Sequence, residues 1–325
     1  MTEIRRHYFL DEYCIIAVER SRRPTDFKLK KEDKSISFCP FCPGNEESTP
    51  PAVSVYKDAQ ILKDEADDII RGWNVRCFPN LYPALTPDSP EIKEDDGRRV
   101  RGFGFHEIIV ETPDHDRHPA DFTDEEIKLL LKAYADRVQY YSSKEGVKYT
   151  SLFRNHGKEA GASLSHPHTQ IITTPILPPK IANELSEIKK IGICPYCDIA
   201  EKEVKSERLI EENRDWICFS PFFSKSPFEM WILPKGHVSK ITEPDEERLG
   251  TFAVILRDAL RKLKDLLDDP PYNYIFFQVN DPDYHMNIRI QPKISIEAGF
   301  EKGTDININT VSPEDAARYL REIQV

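Results

Sequence analysis

Residues 106–115 read HEIIVETPDH and residues 228–237 read FEMWILPKGH. Each is a short apolar run that ends in turn formers and a histidine, so each reads as a strand with a metal-competent side chain at its exit. Working outward, the same neighbours recur in the same order. FCPFC (38–42) precedes the first and ICPYC (193–197) the second, and WNVRCFPNLYPAL (73–85) is answered by DWICFSPFFSKSP (215–227). A helix-like stretch follows each strand. Then YTSLF (149–153) and SHPHTQII (165–172) are matched by YNYIFF (272–277) and YHMNIRIQP (284–292). A unit written twice decides the architecture. The expected fold is α+β, two tandem units, each a mainly antiparallel sheet packed with helices, the first over residues 1–178 and the second over 188–325.

Helix ends are marked by mechanism. Thr123-x-x-Glu126 is a capping box, followed by Ile127, Leu130, Leu131, Tyr134 and Val138 at helical spacing. Asp245-Glu246-Glu247 opens the counterpart, whose stripe is Leu249, Phe252, Leu256, Leu260, Leu263 and Leu267, and Pro270-Pro271 stops it. Residues 106–112, 149–153, 169–173, 228–233 and 272–278 read as strands. A short helix is expected over 180–190, and a last one opens at Ser312-Pro313. Residues 87–100, rich in Asp, Glu, Pro and Gly, read as a mobile surface loop.

At 325 residues, 39% of them hydrophobic, the chain is long enough for about two cores of roughly 150 residues each. A net charge of -11 argues against a nucleic-acid polymer as partner, though a local basic cluster still suits a small phosphate ligand. No run approaches ~20 apolar residues and the first twenty lack a signal-peptide core, so the expectation is no membrane partner and a cytoplasmic location. Seven cysteines without a secretion signal do not suggest a disulfide scaffold.

Four of those cysteines form two Cys-x-x-Cys turns, and the repeat supplies histidines at matching places. The predicted quartets are Cys39, Cys42, His115 and His166, and Cys194, Cys197, His237 and His285. Two thiolates and two imidazoles suit zinc, and four protein ligands per site suggest structural ions, two per chain. His118 is a substitute ligand by position. Cys14, Cys77 and Cys218 read as ordinary buried residues. A thioredoxin-like role is disfavoured because neither pair opens a suitable βαβ unit.

One segment has no counterpart in the second half: NHGKEAGASLSHPHTQ, residues 155–170. Residues two apart on a strand share a face, so His166, His168 and Gln170 are expected on one side, beside a Gly/Ala/Ser loop whose amides can approach phosphate oxygens. A neutral imidazole there can attack phosphorus. The second half has His285, Asn287 and Arg289 at these places, so one active site per chain is expected.

With those residues in view the chain resembles the galactose-1-phosphate uridylyltransferase family, a branch of the histidine-triad superfamily. The resemblance rests on Arg20-Ser-Arg-Arg23-Pro24, Cys39-Pro-Phe-Cys42, Val75-Arg-Cys-Phe78-Pro-Asn80, the block from Asn155 through Gly161 and Ser163 to His166-Pro-His168-x-Gln170, and Ala298-Gly-Phe300-Glu-x-Gly303-Thr304. It implies two histidine-triad-like domains and ping-pong nucleotidyl transfer, with His168 attacking the α-phosphorus of a nucleoside diphosphate sugar and a sugar 1-phosphate leaving. It further implies Arg20 and Arg23 on phosphate, Phe78 and Asn80 around base and ribose, and Asn155, Gly161 and Ser163 as phosphate-loop contacts. The resemblance likewise implies that Gln170 orients the nucleotidyl group and that Phe300, Gly303 and Thr304 reach a sugar across a homodimer.

The favoured expectation is exchange of UMP between UDP-glucose and galactose 1-phosphate. Its near rival uses ADP-glucose with phosphate, because Cys194 and Cys197 resemble the two-zinc phosphorylase relatives. A dinucleotide hydrolase and a zinc-stapled binding protein without chemistry are the remaining alternatives. Glutamine at 170, where hydrolytic members carry a third histidine, favours transfer.

Overall fold

A computed structural model describes residues 2–18, 24–27, 38–65, 67–92 and 98–325. Arg20, Arg23 and residues 93–97 of the predicted loop lie outside them. Among the described residues the first half carries strands β1 (Glu3–Arg6), β2 (Tyr13–Ile16), β3 (Ser54–Lys57), β4 (Gln60–Leu62), β5 (Val75–Pro79), β6 (His106–Val110), β7 (Tyr149–His156) and β8 (His168–Thr174). The second half adds β9 (Leu209–Glu212), β10 (Trp216–Phe219), β11 (Met230–Pro234), β12 (Tyr272–Phe277), β13 (Asn287–Pro292) and β14 (Asn307–Asn309). The helices are α1 (Asp124–Ser142), α2 (Pro179–Ile191), α3 (Pro195–Glu203), α4 (Glu246–Leu267), α5 (Gly299–Thr304) and α6 (Pro313–Glu322). The fold is α+β, as the pattern of the sequence predicts.

Eleven strands make one sheet in the order β4-β3-β5-β6-β8-β7-β12-β13-β11-β10-β9, with every pairing antiparallel. Read outward from the β7–β12 seam, both halves run through the same succession: β7, β8, β6, β5 against β12, β13, β11, β10. The repeat in sequence is thus a repeat in topology, and the two half-sheets hydrogen-bond edge to edge, Tyr272 opposite His156. Joining the halves this way removes two exposed edges that would otherwise invite intermolecular pairing. β1, β2 and β14 form a separate three-stranded sheet.

One face of the large sheet carries α1 and α4 over a continuous core that includes Leu130, Tyr134, Leu152, Ile171, Phe252, Leu256, Leu260 and Ile288. The capping box is present: Thr123 N donates to Glu126 Oε2 at 2.8 Å, and Glu126 N donates to Thr123 Oγ1 at 3.3 Å. Asp245 caps α4 by accepting from Arg248 N at 2.8 Å. α4 ends at Leu267, ahead of Pro270, because Asp268 already turns into the left-handed region at φ 61°. On the opposite face α2 and α3 cover the second half through Ile181, Leu185, Ile188, Tyr196 and Ile199. The first half has no such helical cover among the described residues. Its side is walled by Trp73, Phe78, Ile108 and Val110 with Phe41 against them, and the candidate site lies there.

Two strand boundaries differ from expectation in a way that matters. The HPHTQ strand begins at His168, so His166 stands before it. The late strand likewise begins at Asn287, after His285. The 106–112 strand closes at Val110. β3, β4, β5, β9, β10 and the small sheet were not predicted as strands.

Candidate active site and metal centres

β8 alternates cleanly. Thr169, Ile171 and Thr173 point to the α1–α4 core, while His168 and Gln170 share the other face. His166 does not join them: it turns to the cysteines. His168 is buried, and its Nδ1–H donates to the carbonyl of His166 at 2.8 Å. That bond fixes the tautomer and leaves a lone pair on Nε2, which has no hydrogen-bond partner among the described residues. Burial pushes the imidazole below its usual range, which keeps it neutral and nucleophilic. Phe41 stands edge-on to His168 at 5.4 Å between centroids and to Phe78 at 5.5 Å.

Three further groups gather beside it. Gln170 Oε1 meets His106 Nε2 at 2.9 Å, and Asn80 lies against the same imidazole, its Nδ2 3.1 Å from Nε2. Asn155 Oδ1 accepts from Asn273 at 2.8 Å. Asn273 also donates to the Ala160 carbonyl at 2.8 Å, so a residue of the second half braces both Asn155 and the Gly/Ala/Ser loop. That leaves the Asn155 amide nitrogen free to donate. The loop itself turns on Gly157 and Gly161, at φ +82° and +87°. A Cβ on Gly157 would sit 2.7 Å from Pro271 Cβ. Gly157→Ala is therefore expected to cost about 1–3 kcal/mol, read as a lower denaturant midpoint. Ser163 and Gly161 are exposed on this loop. Phe300, Gly303 and Thr304 lie in α5, which buries none of its residues, and no hydrogen bond or ring contact joins them to His168 or Gln170.

Behind β8 lies a buried polar network that the sequence did not reveal. Glu111 accepts from Thr169 Oγ1 (2.6 Å), Tyr134 OH (2.9 Å) and Arg154 Nε (3.0 Å). Arg154 also donates to Tyr272 OH and to His118 Nδ1, both at 2.9 Å. With Arg154 and Glu111 only 1% and 0% exposed, every donor and acceptor here needs its partner. His118 is consumed by this network and does not serve as a substitute ligand. Burial and Arg154 push its pKa down to about 2.

Both predicted quartets come together in space, with the four ligand atoms of each within 4.8 Å of one another. In the first, Cys42 Sγ is 3.3 Å from His115 Nδ1 and 3.6 Å from His166 Nδ1, and Cys39 Sγ is 3.8 Å from His166 Nδ1. In the second, Cys194 and Cys197 lie 3.5 and 3.4 Å from His285 Nδ1, and Cys197 is 3.6 Å from His237 Nδ1. A tetrahedral ion bonded at about 2.3 Å to sulfur and 2.0–2.1 Å to nitrogen places these ligands about 3.6 Å apart.

The outer nitrogens agree with this geometry. His166 Nε2 donates to Thr112 O (2.8 Å), His285 Nε2 to Pro234 O (3.0 Å) and His237 Nε2 to Pro282 O (2.9 Å), while His115 Nε2 meets Ser165 Oγ (2.9 Å). Each of the three carbonyl bonds puts the ring proton on Nε2 and the lone pair on Nδ1, facing the sulfurs. The donor sets fit a divalent ion of the zinc type. Burial and Cys39 push the Cys42 thiol up to about 11, and a bound cation reverses that preference. Cys14, Cys77 and Cys218 are fully buried elsewhere.

The profile described as "Galactose-1-phosphate uridyl transferase, N-terminal domain" matches residues 2–178, and one described as "Domain of unknown function (DUF4921)" matches 120–323. The chain belongs to the galactose-1-phosphate uridylyltransferase family. It is 32% identical to ADP-glucose phosphorylase of Arabidopsis thaliana over 99% of this chain and 93% of that protein. It is equally 32% identical to galactose-1-phosphate uridylyltransferase of Thermotoga maritima, over 100% of this chain and 99% of that one. The crystal structure of an ADP-glucose phosphorylase from Arabidopsis thaliana with bound ADP-glucose superposes with a TM-score of 0.82 at 30% identity, covering 100% of both chains. The chain is an enzyme of the nucleotidyltransferase type. No described helix is long and apolar enough to cross a membrane.

Proposed function

We propose that this member of the family is a hexose-1-phosphate uridylyltransferase that exchanges UMP between UDP-glucose and galactose 1-phosphate through a covalent nucleotidyl-histidine at His168. The reading is carried by the bond from His168 Nδ1–H to the His166 carbonyl, which leaves Nε2 as the only nucleophilic nitrogen, two residues from Gln170 on the same face. Nε2 attacks the α-phosphorus. The new N–P bond forms as the P–O bond to the sugar 1-phosphate breaks, and that oxygen departs with the electron pair. The leaving phosphate is a stable anion and needs no proton, which suits a glutamine where an acid would otherwise be required. A second sugar 1-phosphate then reverses the step.

In this reading Arg20, Arg23, Asn155, Gly161 and Ser163 hold phosphate, and Phe78 and Asn80 hold the nucleoside. The two quartets hold zinc that ties loops together and takes no chemical part. Residues 1–178 and 188–325 are two histidine-triad-like domains, of which only the first does chemistry. α5 serves the partner's site in a homodimer through Phe300, Gly303 and Thr304, and the enzyme works in the cytoplasm, where thiolate ligands stay reduced.

A second reading, adenylyl transfer from ADP-glucose to phosphate, is favoured by the TM-score of 0.82 to the ADP-glucose phosphorylase structure. Incubation with UDP-glucose or ADP-glucose followed by intact-mass measurement decides between them. A UMP adduct discharged by galactose 1-phosphate supports the first, and an AMP adduct discharged by phosphate the second. Tight binding with no adduct removes both.

A further inference from the structure

We propose that His106 is the positioning residue that sets the side-chain amide of Gln170, so that Gln170 presents N–H donors, and never its carbonyl, to the transferred phosphoryl group. His106 opens β6 and pairs with Ile172, which places it diagonal to Gln170 on the same face of the sheet. Its protonation is determined by its surroundings. The backbone N–H of Ala84 donates to His106 Nδ1 at 3.1 Å, and a backbone amide can only donate, so Nδ1 carries the lone pair. The single proton of the neutral ring is then on Nε2, and it points at Gln170 Oε1, 2.9 Å away.

A carboxamide has two ends of nearly equal size, and its orientation is decided by its partners. With Oε1 held by His106, the Gln170 NH2 group is turned away from it and has no partner among the described residues. Flipping the amide would set N–H against N–H at His106 and aim an oxygen at an anion, both unfavourable.

The ring is itself clamped. Asn80 N donates to the His106 carbonyl at 2.8 Å, Asn80 Oδ1 accepts from Tyr82 N at 2.9 Å, and Asn80 Nδ2 lies 3.1 and 3.4 Å from the two ring nitrogens. The near-equal distances to both ring nitrogens put the Asn80 amide over the ring face, so Asn80 fixes the ring's place while the Ala84 N–H fixes its tautomer. Burial holds the ring below the usual histidine range, in keeping with one ring proton.

This inference rests on covalent transfer through His168, and its test separates the two. Adduct formation with UDP-glucose and with ADP-glucose is followed by rapid quench and intact mass, for the unaltered protein and for His106→Phe, His106→Gln, Gln170→Ala and the His106→Phe/Gln170→Ala double variant. At saturating nucleotide sugar, His106→Phe is expected to slow the adduct at least about 10-fold, while half-saturation moves less than about 3-fold. His106→Gln, whose amide N–H can still donate to Oε1, stays within about 3-fold of the unaltered rate. On the Gln170→Ala background, His106→Phe adds less than about 2-fold, because the group it positions is gone.

Equal losses with and without Gln170 overturn the proposal, as does an unchanged rate in His106→Phe. Should His106→Phe not fold, a 10-fold loss in His106→Gln overturns it, and retained activity in that variant supports it. No adduct in the unaltered protein overturns the covalent reading and this one together. A normal adduct that ignores His106 overturns this one alone.

Discussion

His168→Asn is expected to unfold within about 2 °C of the unaltered protein and to form nucleotidyl adduct at least about 10^4-fold more slowly. The chain contains its own precedent for the substitution. β13 occupies in the second half the place of β8 in the first, and where β8 begins with His168, β13 begins with Asn287. Asn287 Nδ2 donates to the carbonyl two residues back, that of His285, at 3.3 Å, just as His168 donates to His166. Asparagine thus satisfies the same carbonyl in the same local geometry, and the fold loses little. What disappears is the imidazole Nε2, with its lone pair on a group that can carry the positive charge formed on attack. A thermal melt beside the intact-mass time course reads both halves of the prediction. Adduct persisting in this variant would move the nucleophile to another residue. A collapsed melt with no adduct would mean that the asparagine does not fit, and His168→Gln would replace it.

Much of this arrangement is legible in sequence because it is local or repeated. The capping box at Thr123, the acidic start of α4 and the Cys-x-x-Cys turns each declare themselves within four or five residues. The histidines His115, His166, His237 and His285 declare themselves by recurring at matching places in the two halves. What stayed hidden depends on cross-strand register. His106 reaches Gln170 only because β6 and β8 pair with His106 opposite Ile172, a relation across 64 residues that no local pattern encodes. Asn273 braces Asn155 across the β7–β12 seam, and the seam was not foreseen because each half reads as a closed unit.

The Glu111–Arg154–Tyr134–Tyr272 network was missed for a different reason. Polar residues within an apolar strand read as solvent-facing, whereas here they satisfy one another beneath the strand that carries His168. One predicted grouping takes a different form in the structure. His166, His168 and Gln170 have strand spacing, but the strand starts two residues later, so His166 is free to turn to the cysteines while its carbonyl holds His168.

That double use of His166 makes the two metal centres unequal, and removing one should not resemble removing the other. In the first proposed centre His166 would offer Nδ1 to an ion, and its carbonyl accepts from His168. Between the two cysteines, Phe41 leans on both His168 and Phe78. Loss of an ion there would therefore release the wall of the site together with the residue that sets the tautomer of His168, the proposed nucleophile. In the second centre Cys194 and Cys197 anchor the start of α3 to the ends of β11 and β13, and no hydrogen bond or ring contact among the described residues links that quartet to His168 or Gln170. Binding energies of about 10–16 kcal/mol for structural zinc in small peptides make either loss substantial, even though a 325-residue chain with a large core keeps much of its own stability.

Cys39→Ser/Cys42→Ser is accordingly expected to lower Tm by on the order of 10 °C and to reduce adduct formation at least about 100-fold. Cys194→Ser/Cys197→Ser should lower Tm by a similar amount and keep adduct formation within about 5-fold at a temperature where the variant is folded. Metal content by elemental analysis should fall by one ion in each variant. Equal loss of activity from both would mean that the second centre reaches the chemistry through the sheet. Full activity in Cys39→Ser/Cys42→Ser would show that Phe41 and His166 hold their places without the ion.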